Sequence, residues 1–190
     1  SWIVVISGGL STGIGFASKD ILENIYYGIS LMAGRIKIGD IIVCDGTRGK
    51  VSSISYTSTM IEAVDGSVIA FTNSQLFTKN YKNLTRNHGH EVAVVEVGIA
   101  YGANIDRVRL ILVEAVSALP CVDTHYKGHK VMVIVKELAD SCVTLKVVCW
   151  VNVMSAAVDN GTILECVYNT LNENNIEIPF PQRDIHVRTE

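Results

Sequence analysis

The sequence predicts a membrane-associated α + β chain: one apolar helix, then a β-rich segment, then an alternating α/β segment. Three observations predict it. Ser1 to Ser18 carries no charge and is rich in small residues. Ile41 to Arg86 breaks into short extended runs separated by Asp-Gly and Gly turns. From Glu91 the periodicity alternates in the order strand, helix, strand, strand, helix, strand, the order of a ferredoxin-like unit.

The apolar stretch organises the rest. At 1.5 Å per helical residue, Ser1 to Ser18 spans roughly 27 Å, close to the hydrocarbon core of a bilayer. Glycine costs a lone helix roughly 1 kcal/mol per residue against alanine, so this much glycine needs close helix packing to offset it. Placed at 100° intervals, Gly9, Gly13 and Ala17 form one small stripe, and Gly8, Ser11, Gly15 and Ser18 form another. Val5, Thr12 and Phe16 lie between the two, continued below by Lys19 and Glu23. Ile3, Leu10, Ile14 and Ile21 lie opposite. A helix in a closed ring packs small-on-small against a neighbour on each side and turns the intervening face to the axis. On that geometry Thr12 and Phe16 line a pore, with Lys19 and Glu23 at its cytoplasmic mouth. The competing reading is a buried helix of a soluble protein whose glycines pack against a sheet.

Below Ser18 the helix becomes amphipathic, with Ile21, Leu22, Ile25, Ile29 and Met32 at helical spacing and Asp20, Glu23 and Asn24 polar. Next comes Ile41 to Cys44, an apolar run ended by Asp45-Gly46. Lys50 to Glu62 alternates and is rich in Ser, Thr and Ile. Val64-Asp65-Gly66-Ser67 is a hairpin turn, and Ser67 to Phe71 returns. Short strands with tight turns predict a small barrel. His88-Gly89-His90 marks the next boundary. No third metal ligand stands near it in sequence, so a solvated loop and no metal site are expected. Val92 to Tyr101 reads as a strand. Ile105 to Ala115 reads as a helix stopped at Leu119-Pro120. Val131 to Val135 and Cys142 to Val151 read as strands around an Ala139-Asp140-Ser141 turn. Thr162 to Asn174 reads as a helix and Asp184 to Val187 as a closing strand.

Composition excludes several functions. Of 190 residues, 48% are apolar and 18% charged, which suits membrane contact or extensive subunit burial. A net charge of −3 argues against a nucleic-acid partner. Cys44, Cys121, Cys142, Cys149 and Cys166 form no Cys-x-x-Cys and read as reduced, mostly buried thiols. No phosphate loop, nucleophile elbow or zinc spacing is present, so no cofactor and no catalysis are expected. Gly13-Ile14-Gly15 lacks the third glycine of a dinucleotide fingerprint. Tyr101 and Trp150 read as core or subunit-contact residues. The sequence opens directly on the apolar run without a basic leader, so no cleaved signal is expected and a longer parent protein is. Lys19, Arg35 and Lys37 after the span place the bulk of the chain in the cytoplasm by the positive-inside rule.

One set of motifs is specific. Gly13-Ile14-Gly15-Phe16, Asn24, Gly28, Ile38-Gly39-Asp40, Gly49-Lys50-Val51, Asp65-Gly66, Thr72-Asn73-Ser74, Gly98-Ile99-Ala100-Tyr101-Gly102 and Ile178-Pro179-Phe180-Pro181-Gln182 occur in that order. Together they resemble the small-conductance mechanosensitive channel family over nearly the whole chain. The resemblance implies a pore-lining transmembrane helix at 1–33, an Sm-like β domain at 34–90 and an α/β domain at 91–178. It also implies a C-terminal strand of an intersubunit barrel at 179–190, and further transmembrane helices upstream. It implies an inner-membrane homo-oligomer, heptameric in the type members, in contact with lipid and passing ions and small osmolytes under tension. The alternative is a ring-forming Sm-like assembly module at the membrane that is not a channel. Asp20 and Gly28 stand at the family's two hinge positions, where both are usually glycine. Thr12 stands where the family's gate carries its first apolar ring, which leaves Phe16 the main barrier. The exit at Gly34 to Lys37 and the position before Asn73 lack the family's prolines.

Overall fold

The computed structural model describes residues 2–86 and 88–183. The chain divides into two units, residues 1–88 and 89–190, each with its own core.

The first unit begins with one long helix, α1 (Trp2–Ser30), followed by a π-helical turn at Leu31–Arg35. α1 runs as a single element through Asp20 and Gly28, the two positions where a bend is expected from sequence. The first non-helical backbone comes at Gly34, whose φ of 113° favours glycine. Among the described residues no helix is long and apolar enough to cross a membrane. Length is not the shortfall, since α1 has 29 residues. Its glycines, Ser11 and Thr12 dilute the apolar residues, and Lys19, Asp20 and Glu23 follow. The transmembrane span expected over 1–33 is therefore not matched by an apolar span; the structure supplies a long helix with an uncharged first half.

Five strands follow: β1 (Ile41–Cys44), β2 (Thr47–Ile54), β3 (Ser58–Ala63), β4 (Val68–Thr72) and β5 (Tyr81–Asn83), with α2 (Asn73–Thr78) between the last two. Asp45 and Gly46 both have positive φ, 50° and 77°, which a two-residue type I′ hairpin requires. They join β1 to β2 with Cys44 opposite Thr47. The turn after β3 closes through Ala63 N–H to Ser67 O at 2.8 Å, and the Asp65 carboxylate accepts from the Ser67 N–H and hydroxyl. The run from Lys50 to Glu62 is two strands rather than one. Ser55 N–H donates to Ser58 O at 2.8 Å and turns the chain between them without a glycine or proline. The sheet order is β4-β3-β2-β1-β5, all neighbours antiparallel. Edge strands β4 and β5 do not pair with each other, so the expected barrel is an open sheet. The short helix α2 connects them and buries Leu76 completely beside Ile42, Val51 and Ile61. Fully burying each such side chain contributes about 1.5–3 kcal/mol.

The second unit contains β6 (His90–Ile99), α3 (Ile105–Ser117), β7 (Met132–Leu138), β8 (Val143–Asn152) and α4 (Ala156–Glu173). Its sheet order is β6-β8-β7, antiparallel throughout. Along β8 the alternation is complete: Val143, Leu145, Val147, Cys149 and Val151 are buried, and Thr144, Lys146, Val148 and Trp150 between them are half-exposed. The buried set meets Val108, Leu112 and Val116 of α3 and Ile163, Val167 and Leu171 of α4 in one core. Asn104 caps α3, its side-chain oxygen accepting from Arg107 N–H at 3.1 Å. α4 starts at Ala156, earlier than the Thr162 read from sequence. Asp159-Asn160-Gly161 looks like a turn, yet Asp159 is buried and accepts from the Ser155 hydroxyl at 2.5 Å. The strand expected at 184–187, and with it most of the segment 179–190, lies outside the described residues.

Candidate functional site

α1 carries the residues singled out for a pore, most of them exposed. Trp2, Ile3, Leu10, Ile14 and Phe16 are all largely exposed, Phe16 at 76%. A Cβ added at Gly8, Gly9, Gly13 or Gly15 meets nothing within 4 Å. Among the described residues the glycines of the two small stripes therefore have open space around them, with Ser11 and Ala17 exposed and Ser18 half-buried. Thr12, Gly15, Phe16 and Lys19 share one shallow concavity on the helix surface, so the structure brings Thr12, Phe16 and Lys19 onto one face. The Thr12 hydroxyl donates to Gly8 O at 2.8 Å, which turns it back onto the helix backbone. Glu23 lies one turn below Lys19 and is half-buried.

The lower half of α1 is anchored differently from the amphipathic face expected. Ile21, Leu22, Ile29 and Met32 are exposed and Ile25 is half-buried, so much of the anchoring comes from polar groups. Asn24 Oδ1 accepts from Ser74 N–H at 2.9 Å, satisfying one of the free amides at the start of α2. Asn73, fully buried, donates from Nδ2 to Ser55 O at 2.9 Å and to Asn24 O at 3.4 Å, and accepts from the Thr59 hydroxyl at 2.9 Å. Gly28 is buried where this network needs room. A Cβ there would stand 2.5 Å from Tyr56 O and 2.5 Å from Asn73 Nδ2. Tyr27 stacks on Phe77 at 4.4 Å, and the Arg35 guanidinium lies 4.2 Å over the same ring. The helix is thus clamped to the β sheet by Asn24, Gly28 and Asn73. Their sequence neighbourhood showed they were a motif but not that they form one network.

In the second unit the structure departs from the solvated loop expected at residues 88–90. His90 is the first residue of β6, and its side chain is 19% exposed. The fold brings it to Asp123 and His129, which the sequence places far along the chain. Asp123 Oδ2 is hydrogen-bonded to His129 Nδ1 and lies 3.9 Å from His90 Nε2. Burial pushes the Asp123 carboxyl up, but the His129 and His125 hydrogen bonds and the neighbouring imidazoles outweigh it and hold the group below the usual carboxylate range. The third ligand missing near His88-Gly89-His90 in sequence is present in space. Tyr101 is 53% exposed, its hydroxyl donating to Ala139 O at 2.6 Å, and Trp150 stacks on His129.

The order of one long helix, an antiparallel β sheet and an α/β unit is shared with known proteins. The family model "Mechanosensitive ion channel, beta-domain" matches residues 20–86, and "Mechanosensitive ion channel MscS, C-terminal" matches residues 93–178. An uncharacterized MscS family protein of Archaeoglobus fulgidus is 32% identical over 190 residues, covering 98% of this chain and 65% of its own. The small-conductance mechanosensitive channel of Edwardsiella ictaluri is 30% identical over 178 residues, covering 92% of this chain and 60% of its own. The crystal structure of Helicobacter pylori MscS in its closed state superposes with a TM-score of 0.84 at 24% identity, covering 100% of this chain and 74% of that one. The chain belongs to the MscS family of mechanosensitive ion channels. That family is one of channels, not of enzymes. The chain spans 60% to 65% of the length of three of the curated relatives it matches.

Proposed function

We propose that this chain is the pore-bearing part of a subunit of a mechanosensitive, weakly selective channel that releases ions and small osmolytes on hypo-osmotic shock. One observation carries the proposal: among the described residues, a Cβ added at Gly8, Gly9, Gly13 or Gly15 of this helix meets nothing within 4 Å. At roughly 1 kcal/mol each, those glycines cost an isolated helix several kcal/mol. Close packing of copies around an axis offsets that cost, and a heterologous contact that closes gives a ring, a heptamer by family resemblance. Within such a ring only the Ile3, Leu10 and Ile14 face needs to be apolar enough for lipid, which accounts for a span whose average apolarity is low. The Sm-like reading of 34–90 is supported by β5 returning to pair with β1. The ferredoxin-like reading of 91–178 is supported by the order β6-β8-β7 with two helices.

Gating follows from the helix faces. Phe16 rings gathered near the axis make an apolar constriction that excludes water. Membrane tension favours the state of larger in-plane area, and smooth glycine stripes let neighbouring helices slide apart. Thr12, whose hydroxyl is polar, adds little to the barrier. Lys19 and Glu23 stand at the cytoplasmic mouth, and the residues after about 34 lie in the cytoplasm of an inner-membrane, multi-pass protein. The test is downshock survival of channel-deficient cells expressing the full protein. Wild type should rescue them, and Phe16→Ser should slow growth by leak. If inserted wild-type protein gives no rescue and Phe16→Ser gives no leak, the ring-forming assembly module is the better account.

A further inference from the structure

We propose that His90, Asp123 and His129 form a binding site for a divalent transition metal of the zinc class, one ion per chain, within the second unit. The inference is independent of the channel reading, since all three residues lie on that unit.

The donor set is chemically suited. Two imidazole nitrogens and one carboxylate oxygen can each offer one ligand atom, and these atoms lie within 4.8 Å of one another. Zinc bonds of 2.0–2.2 Å in tetrahedral geometry place donors about 3.3–3.6 Å apart, so an ion requires His90 Nε2 to close slightly from 3.9 Å and the hydrogen-bonded His129 Nδ1 and Asp123 Oδ2 to part. Imidazole-rich sites favour zinc, nickel and copper, whereas calcium and magnesium require oxygen ligands. Three protein ligands leave the fourth position to water or an incoming group.

The site is built rather than accidental. Asp123 follows the bridge between Val122 and Val151, and its N–H donates to Trp150 O at 2.8 Å. His90 faces the same end of β8, paired with Asn152. His129 N–H donates to Tyr126 O at 2.9 Å, and its ring lies flat on Trp150 at 4.1 Å with 6° between planes. The three side chains are between 10% and 19% exposed, so solvent competes little for the donors. Among the described residues His90 Nδ1 is a buried nitrogen with no hydrogen-bond partner. An ion entering between His129 and Asp123 replaces the proton they share, which leaves to solvent.

The experiment uses the full protein in detergent, purified without a histidine tag and stripped with chelator. Isothermal titration with Zn²⁺ should give one ion per chain, with Mg²⁺ and Ca²⁺ giving none. His129→Ala and Asp123→Asn should each weaken Zn²⁺ at least tenfold, while His88→Ala and His125→Ala should not. Since a variant can fail to fold, a second readout uses the wild-type chain. Ni²⁺ should quench Trp150 emission saturably at one equivalent, and Trp150→Phe should lack that component. Absence of saturable binding, equal Zn²⁺ affinity in His129→Ala and Asp123→Asn, or loss in His88→Ala instead would each overturn the assignment.

Discussion

Replacing Gly28 by alanine separates two roles for the same residue. If Gly28 serves only to loosen the helix, alanine should stabilise α1 by about 1 kcal/mol through propensity. The structure predicts the opposite sign. The new Cβ stands 2.5 Å from Tyr56 O, 2.5 Å from Asn73 Nδ2 and 3.0 Å from the Tyr56 carbonyl carbon. Two of these are backbone atoms, so relief requires α1 and the Ser55–Thr57 turn to separate by most of an ångström. Overpacking of that kind costs about 1–3 kcal/mol. Separation also weakens the Asn73 contacts to Asn24 O and Ser55 O, and a buried polar group left unmatched costs about 1–3 kcal/mol more. Set against the propensity gain, the net is a loss of about 1–5 kcal/mol. Hydrogen exchange should read this as roughly fivefold or faster exchange in the residues around 24–35 and 55–62. Gly161→Ala is the control, since a Cβ there meets nothing within 4 Å on the exposed face of α4. It should slow exchange in α4 by about fivefold. Equal or greater protection in Gly28→Ala would refute the packing role.

Three further outcomes follow from the same structure. Asn73→Ala strands the Thr59 hydroxyl and Ser55 O, two hydrogen bonds of 2.9 Å each, and should lower the stability of the first unit by about 2–5 kcal/mol in urea unfolding; a change below 1 kcal/mol would show that the network is dispensable. Burial, aided by Cys121 and Asp159, pushes the Cys149 thiol up to about 11. Roughly one thiol in a thousand is then ionised at pH 8, so Cys149 should resist iodoacetamide until the chain unfolds. Between the ordinary thiol value of about 8.5 and 11 the unfolded state holds fewer protons than the folded one, so this contribution is full below about 8.5 and lost as pH rises. Cys149→Ala should show a smaller alkaline fall in stability than wild type, and an equal fall would contradict the burial account. If Lys19 stands at a pore mouth as proposed, Lys19→Glu should shift the reversal potential toward cation passage, and unchanged reversal potentials would remove Lys19 from that role.

Much of the architecture could be read from local chemistry. Asp45-Gly46 and Asp65-Gly66 mark two hairpins because each puts a glycine where the backbone turns with positive φ. The alternation along β8 and the spacing of Val108, Leu112 and Val116 on α3 show their buried faces directly. What was not legible depends on contacts across the chain. Nothing at Ser55-Tyr56-Thr57 announces a turn, so two strands read as one. Gly28 looks like a hinge until α2 is placed beside it. Asp159-Asn160-Gly161 reads as a turn, but the buried Asp159 and its Ser155 partner begin α4 early. His90 looks solvated because Asp123 and His129 reach it only when residues 122 and 123 bond to β8. The upper face of α1 is the reverse case: Thr12, Phe16 and Lys19 share a side by periodicity alone, and they line one concavity in the structure.

The central claim is that this helix forms a tension-gated pore with Phe16 as its barrier. The most direct test is a patch-clamp record of the full protein in a channel-deficient membrane under graded suction. The account predicts pressure-dependent steps of uniform conductance, with Phe16→Ser opening at lower pressure or leaking at rest. Silence up to patch rupture, in membranes where the protein is shown to be inserted, would contradict it.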